Sequence, residues 1–211
     1  MDFSYKKSDL FLKRGNTMNI LNSRFLQYAE KIVDLFLLNL LWLIMSIPVI
    51  TIFPATVSMY GVIRKWTMGK ETNGIFRTFF LLFRECFLQS FGISVLWAAL
   101  GFFIYIDFRI LHLDGSLMHL ILLGILWLLS LFFLSITVYL FPIMAHFDTN
   151  WKNVIKNSLS LAFTYPLSTI LLIIIFLISL YLLYLLPLFI FILGSVTAYF
   201  SYTICHKLFL V

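Results

Sequence analysis

Apolar residues in this chain do not alternate with polar ones. They run on for lengths that match the thickness of a bilayer. Four runs are plain: 89–111, 119–143, 167–186 and 188–205. Each holds about 18–25 residues, enough for a helix to cross a hydrocarbon core of about 30 Å. Asp107 and Arg109 interrupt the first only near its end, and Pro187 alone separates the last two, which therefore read as a tight hairpin.

A fifth run, 32–63, is less ordinary, because it contains Asp34, Pro48 and Pro54. As one straight helix it would be about 48 Å long at 1.5 Å per residue, well beyond the core. Proline breaks helix interiors and pushes the residue before it out of the α region, so Ile47-Pro48 is the natural break. Two pieces of roughly 22–24 Å would result, short for full spans. Two threadings follow: a re-entrant or tilted hairpin, which is preferred, or one kinked crossing.

Shorter amphipathic stretches precede these runs. Phe76, Phe79, Phe80, Phe83 and Phe87 recur at helical spacing, with Arg77 and Arg84 on another face. That pattern predicts a helix lying in the headgroup region over 76–88, aromatics down and arginines snorkelling. Residues 150–162 read the same way: Trp151, Val154, Ile155 and Leu159 face one side, Lys152 and Lys156 the other, and Asn150 is a candidate N-cap. Residues 24–32 are a shorter version, with Phe25, Tyr28 and Ile32. Three units follow, each a surface helix and a hairpin, at about 22–66, 76–147 and 150–207.

Composition narrows the class. Of 211 residues 62% are hydrophobic and 11% charged, against about 25% charged in a soluble domain. Too little polar sequence is present to coat a water-facing surface. Only helices and closed barrels satisfy their backbones in lipid, and uninterrupted runs select helices. The expected fold is all-α: a polytopic transmembrane bundle of five or six spans, six preferred as three hairpins, with interfacial amphipathic helices. Residues 1–21 are expected to be a disordered cytoplasmic tail and 22–211 a single transmembrane domain. Met18 offers a second candidate start, and the first 31 residues lack the apolar core of a cleavable signal peptide.

Charge then orients the bundle. The net charge is +6, and in so apolar a chain this points to the inner leaflet rather than to nucleic acid. Fourteen of the fifteen Lys and Arg fall on one side if 32–63 crosses twice; Arg109 is the exception. Both termini are then cytoplasmic in a multi-pass plasma-membrane protein. Cys86 and Cys205 share that side, where a structural disulfide is not expected.

Three stretches carry a family resemblance: ILNSRFLQYAEKIVDLFLLNLLWLIMSIPVITIFPATVSMYGVIRKW (20–66), GIFRTFFLLFRECFLQS (74–90) and VYLFPIMAHFDTNWKNVIKNSLSLA (138–162). In order and spacing they resemble the YesL-like family of bacterial integral membrane proteins, a domain of unknown function. Phe53 stands where the family often has glycine, which puts the geometry of a turn there in question. The resemblance implies a membrane protein of mainly Gram-positive bacteria associated with carbohydrate uptake or polysaccharide degradation, because members tend to be encoded beside sugar transporters and glycosidases. It carries no catalytic residue, because none is established for the family.

The candidate functional element is the broken hairpin: Asp34, Asn39, Pro48, Thr51, Pro54 and Thr56. Ionisable residues inside spans, and proline-interrupted short segments, are where membrane proteins build sites. The bland reading competes: Asp34 pairs with Lys31 or Arg24 at the interface, and Asn39 bonds between helices. Arg64, Lys65, Arg77 and Arg84 form a candidate cytoplasmic docking surface. Asp107, His112, Asp114 and His119 gather near one external loop without metal-ligand spacing, and His146 and His206 read as interface residues at helix ends.

No zinc-binding H-E-x-x-H, nucleophile elbow or P-loop occurs. No enzyme, cofactor or metal is expected. The function expected is a non-enzymatic accessory or scaffold component linked to carbohydrate utilisation. Its partners would be the lipid bilayer and a sugar ABC transporter permease or a sensor kinase, with no nucleic acid. The alternative is a small-solute or saccharide transporter in its own right.

Overall fold

The computed structural model describes residues 26, 29–70, 74–111, 117–147 and 150–209. Every regular element among them is helical. Helix α1 comprises residues 29–45. There follow α2 (Ile52–Thr67), α3 (Ile75–Ile110), α4 (Leu117–His146), α5 (Trp151–Thr164), α6 (Pro166–Leu185) and α7 (Ile190–Phe209), with 3₁₀ turns at Val49–Thr51 and Pro187–Phe189. Among the described residues, four helices are long and apolar enough to cross a membrane: Ile75–Ile110, Leu117–His146, Pro166–Leu185 and Pro187–Phe209. The tail at 1–21, Phe25 and Tyr28 of the amphipathic stretch 24–32, and His112 and Asp114 of the loop cluster lie outside the described residues, while residues 29–32 of that stretch are the first turn of α1.

The run 32–63 is broken at Ile47-Pro48, where proline predicted it. Helix α1 ends at residue 45, and Pro48 is extended at φ −75°, ψ 118°. Helices α1 and α2 fold back on each other, and at 1.5 Å per residue each is about 25 Å long. Pro54 is harmless in α2, since a first-turn N–H has no intrahelical acceptor. Phe53, where a flexible turn was in question, is already helical and packs on Phe141 with ring centroids 5.1 Å apart.

One expectation is corrected. Residues 76–88 are not a separate surface helix. They are the first turns of α3, 36 residues without interruption, about 54 Å long. No proline falls between Phe76 and Gln89 to break it. Phe79, Phe83, Phe87 and Phe91 instead stack at i, i+4 intervals along one face, with centroids 6.3, 5.5 and 6.2 Å apart. A helix of this length exceeds the core, and the surplus is the end carrying exposed Arg77 and Arg84. The second of the three expected units therefore lacks its own surface helix. Helix α5 is separate, and buries Val154 and Ser158 while leaving Trp151 exposed. Asn150 holds the N-cap position, but its side chain makes no capping bond.

Helices α2, α4 and α7 end together. Arg64 reaches the carbonyl of Ala145, and the rings of His146 and His206 are 6.0 Å apart. The short connection after α2 starts α3 at that same end, and α5 leads from the end of α4 into α6. Lys65, Lys70, Arg77, Lys152 and Lys207 gather there, while Arg109 closes α3 at the other. Packing is close where small residues allow it: a Cβ on Gly61 would lie 2.9 Å from Leu82 Cδ1, where α2 approaches α3.

Candidate functional site

The broken hairpin is stitched together by its own polar side chains. Thr51 donates its hydroxyl to the carbonyls of Met45, at 2.5 Å, and Pro48, at 2.6 Å. Met45 ends α1, so this bond answers a carbonyl that the broken helix leaves without an amide. Trp42 Nε1 donates to Thr56 Oγ1 at 3.0 Å, and that hydroxyl donates to Ile52 O at 2.7 Å. Asn39 is fully buried. Its Nδ2 donates to Ile190 O at 2.6 Å, and its Oδ1 accepts from the Ser195 amide at 3.0 Å. The sequence candidates Asn39, Thr51 and Thr56 thus join helix to helix. Asp34 stands apart from them, partly exposed, with Glu30, a like charge, one turn earlier. Arg24 lies outside the described residues.

The four residues of the candidate docking surface divide. Arg77 and Arg84 are exposed and Lys65 is half-buried. Arg64 is turned inward, and its Nη1 donates to Ala145 O at 2.8 Å. That places a cation on the last turn of α4, where the helix dipole favours it.

Beside Arg64 lies a cluster that no sequence spacing announces. His146 Nδ1 and the Tyr202 hydroxyl are 2.8 Å apart, and the His206 ring stacks on Tyr202 at 5.9 Å. Phe209 closes over His146 at 4.7 Å. His206 Nδ1 is buried with no hydrogen-bond partner. The sequence does place both histidines at helix ends. Their meeting depends on three helices finishing at one level, which only the packing shows. Among the described residues, no group of three or more His, Cys, Asp or Glu is arranged to hold a metal.

Between α1, α2, α4, α6 and α7 lies a cavity of about 340 Å³. Phe141, Leu172, Phe176, Leu180, Leu193 and Ala198 supply apolar wall. The polar groups on the wall are engaged within the chain. Thr137 donates to Phe133 O and accepts from Trp97 Nε1, and Thr197 donates to Ser179 Oγ. Tyr60 and Ser201 lie side by side on the wall. Among the described residues, no carboxylate, amine or guanidinium lines the chamber.

Residues 35–108 match the family described as "Protein of unknown function, DUF624". That segment takes in α1 from its first turns, the break, α2 and nearly all of α3. Three uncharacterized proteins of Bacillus subtilis (strain 168) are similar. YteU is 31% identical over 145 residues, 67% of this chain and 65% of its own length. YesL is 31% identical over 151 residues, 69% of each chain. YesV is 28% identical over 144 residues, 67% of this chain and 69% of its own. The match to YteU thus spans just under two thirds of that relative. No solved structure matches the chain. The chain belongs to this YesL-like family of proteins of unknown function.

Proposed function

We propose that the protein is a non-enzymatic, multi-pass component of the bacterial plasma membrane. It assists a carbohydrate-uptake system as an accessory subunit or scaffold beside a sugar ABC transporter permease or a sensor kinase. In this reading α1 and α2 enter the membrane as a hairpin, both termini are cytoplasmic, and the bundle has six membrane-entering segments.

One observation carries the reading. Polar side chains of the broken hairpin and of the chamber are spent on bonds within the chain, several of them between helices, as Asn39, Thr51, Thr56 and Thr197 illustrate. A sugar path needs donors and acceptors free for the substrate's hydroxyls, because polar groups buried without partners are costly. Exposed cations gather at one end, Arg77 and Arg84 among them, with Glu85 exposed beside Arg84; such a basic surface suits contact with an acidic partner surface or anionic lipid. The link to carbohydrate rests on the resemblance to a family whose members tend to be encoded beside sugar-uptake and glycan-degrading proteins.

The test is affinity capture of the tagged chain from mildly solubilised native membranes. Recovery of a sugar permease or a sensor kinase, lost on Arg77→Glu with Arg84→Glu, is the expected result. Isolation of the chain alone, together with saccharide flux in vesicles containing nothing else, would establish the transporter instead.

A further inference from the structure

We infer that the chamber between α2 and α6 holds a single hydrocarbon chain of a bilayer phospholipid. Its size is the first reason. A cavity of about 150 Å³ lined by apolar side chains takes up benzene. At about 340 Å³, this one has room for roughly a dozen carbons on the same scale. Left empty, its walls would forfeit their dispersion contacts.

Its chemistry is the second reason. A buried water needs two to four polar partners, and the hydroxyls of Thr56, Thr137 and Thr197 already donate to Ile52 O, Phe133 O and Ser179 Oγ. Trp42 Nε1 is likewise used by Thr56. What remains facing inward is hydrocarbon and aromatic surface, which favours an apolar guest over water or a sugar.

Shape and access complete the argument. Along α7 the lining runs from Ile190 to Ser201, about 16 Å at 1.5 Å per residue, or half the hydrocarbon core. Volume over length leaves a cross-section of roughly 20 Å², narrow enough for one extended chain. Helix α6 packs on α4 and α7, and no comparable packing joins it to α2. The gap is partly open, and Phe176 and Leu180, which line it from α6, are themselves exposed apolar residues. Lipid is the solvent at such a mouth.

The experiment is native mass spectrometry of the full chain, purified from its membranes in mild detergent and stripped by repeated exchange, with retained molecules identified by mass after extraction. One glycerophospholipid per chain is expected to survive. Ala198→Phe and, separately, Ser179→Phe should cut retention about tenfold, whereas Leu128→Phe on the exposed face of α4 should leave it unchanged. Because filling the chamber can itself disturb folding, a second measurement uses vesicles of phosphatidylglycerol brominated at mid-chain. Trp42 lines the chamber, so the quenched fraction of fluorescence should fall in Trp42→Phe relative to the unaltered chain. No retained lipid, a retained isoprenoid lipid, equal retention by the filled variants, or quenching indifferent to Trp42 would each overturn the inference.

Discussion

Asn39 of α1 and Gly194 of α7 are in contact so close that no side chain fits between them. A Cβ built on Gly194 would lie 2.5 Å from Asn39 Oδ1, and Trp42 lies 3.5 Å from the same point. The carboxamide spans the Ile190 carbonyl and the Ser195 amide. The broken hairpin is thereby locked to the last helix across more than 150 residues of chain. Gly194→Ala should destabilise the protein, and so should Asn39→Ala, each by about 1–3 kcal/mol. Removing both should cost less than the sum, because the second change relieves the clash made by the first. Detergent-denaturation midpoints of the four proteins check this; strict additivity would mean that the two residues act independently.

Thr51 serves the break itself. Its hydroxyl is bonded to Met45 O and Pro48 O, so Thr51→Val keeps the shape and deletes both bonds. A loss of about 1 kcal/mol is expected, together with faster proteolysis at 46–50. Thr203→Val is the control, since Thr203 bonds only the Tyr199 carbonyl of its own helix. An equal loss there would show that Thr51 has no special place.

Arg64 and the pair Arg77 and Arg84 should separate by assay. Arg64→Met removes the guanidinium that bonds Ala145 O and should lower the denaturation midpoint by the equivalent of about 1–3 kcal/mol, as for a bond to a charged donor. Arg77→Gln with Arg84→Gln should leave stability within about 0.5 kcal/mol, as exposed substitutions do, and affect partner capture alone. The opposite assignment would show that the inward turn of Arg64 is not what holds the C-terminal end of α4.

Tyr202 joins two histidines that the chain places 60 residues apart. Tyr202→Phe keeps the ring stacked on His206 and deletes the bond to His146. The expected loss is about 1 kcal/mol, and NMR of ring-labelled histidine should show a changed His146 environment. His119, in α4 near the opposite end of the bundle, should be undisturbed; a shift common to all histidines would point to general loosening instead.

Threading is tested by accessibility. A cysteine placed at Asn22 should resist an impermeant external thiol reagent, and one at Ser116 should react. Reaction at both positions would restore a single crossing for 32–63.

Much of the fold is legible from the chain because apolar run length and proline are local signals. The four long helices fall within a few residues of the predicted runs except at the start of α3, and the break stands at Ile47-Pro48. The misjudged element, 76–88, has a pattern that an interfacial helix and an extended span share. Amphipathicity reports which side is polar. It does not say whether the chain bends at Gln89, and nothing there breaks the α3 ladder. Within the candidate site, Asn39, Thr51 and Thr56 stand out in the sequence as polar residues in apolar surroundings. Their use in joining helices was not readable, because each acceptor belongs to another turn or another helix.

By itself, then, the sequence determined the solvent of this protein, its helical class, its charge asymmetry and the place where its first apolar run breaks. These follow from properties of single residues and their nearest neighbours. Tertiary structure decided the rest: that Gly194 admits Asn39, that Arg64 turns inward while Arg77 and Arg84 stay exposed, that His146 and His206 share Tyr202, and that five helices enclose an apolar chamber. Those depend on which helix ends come level and how closely the backbones approach. Packing sets both, between residues that no local pattern connects.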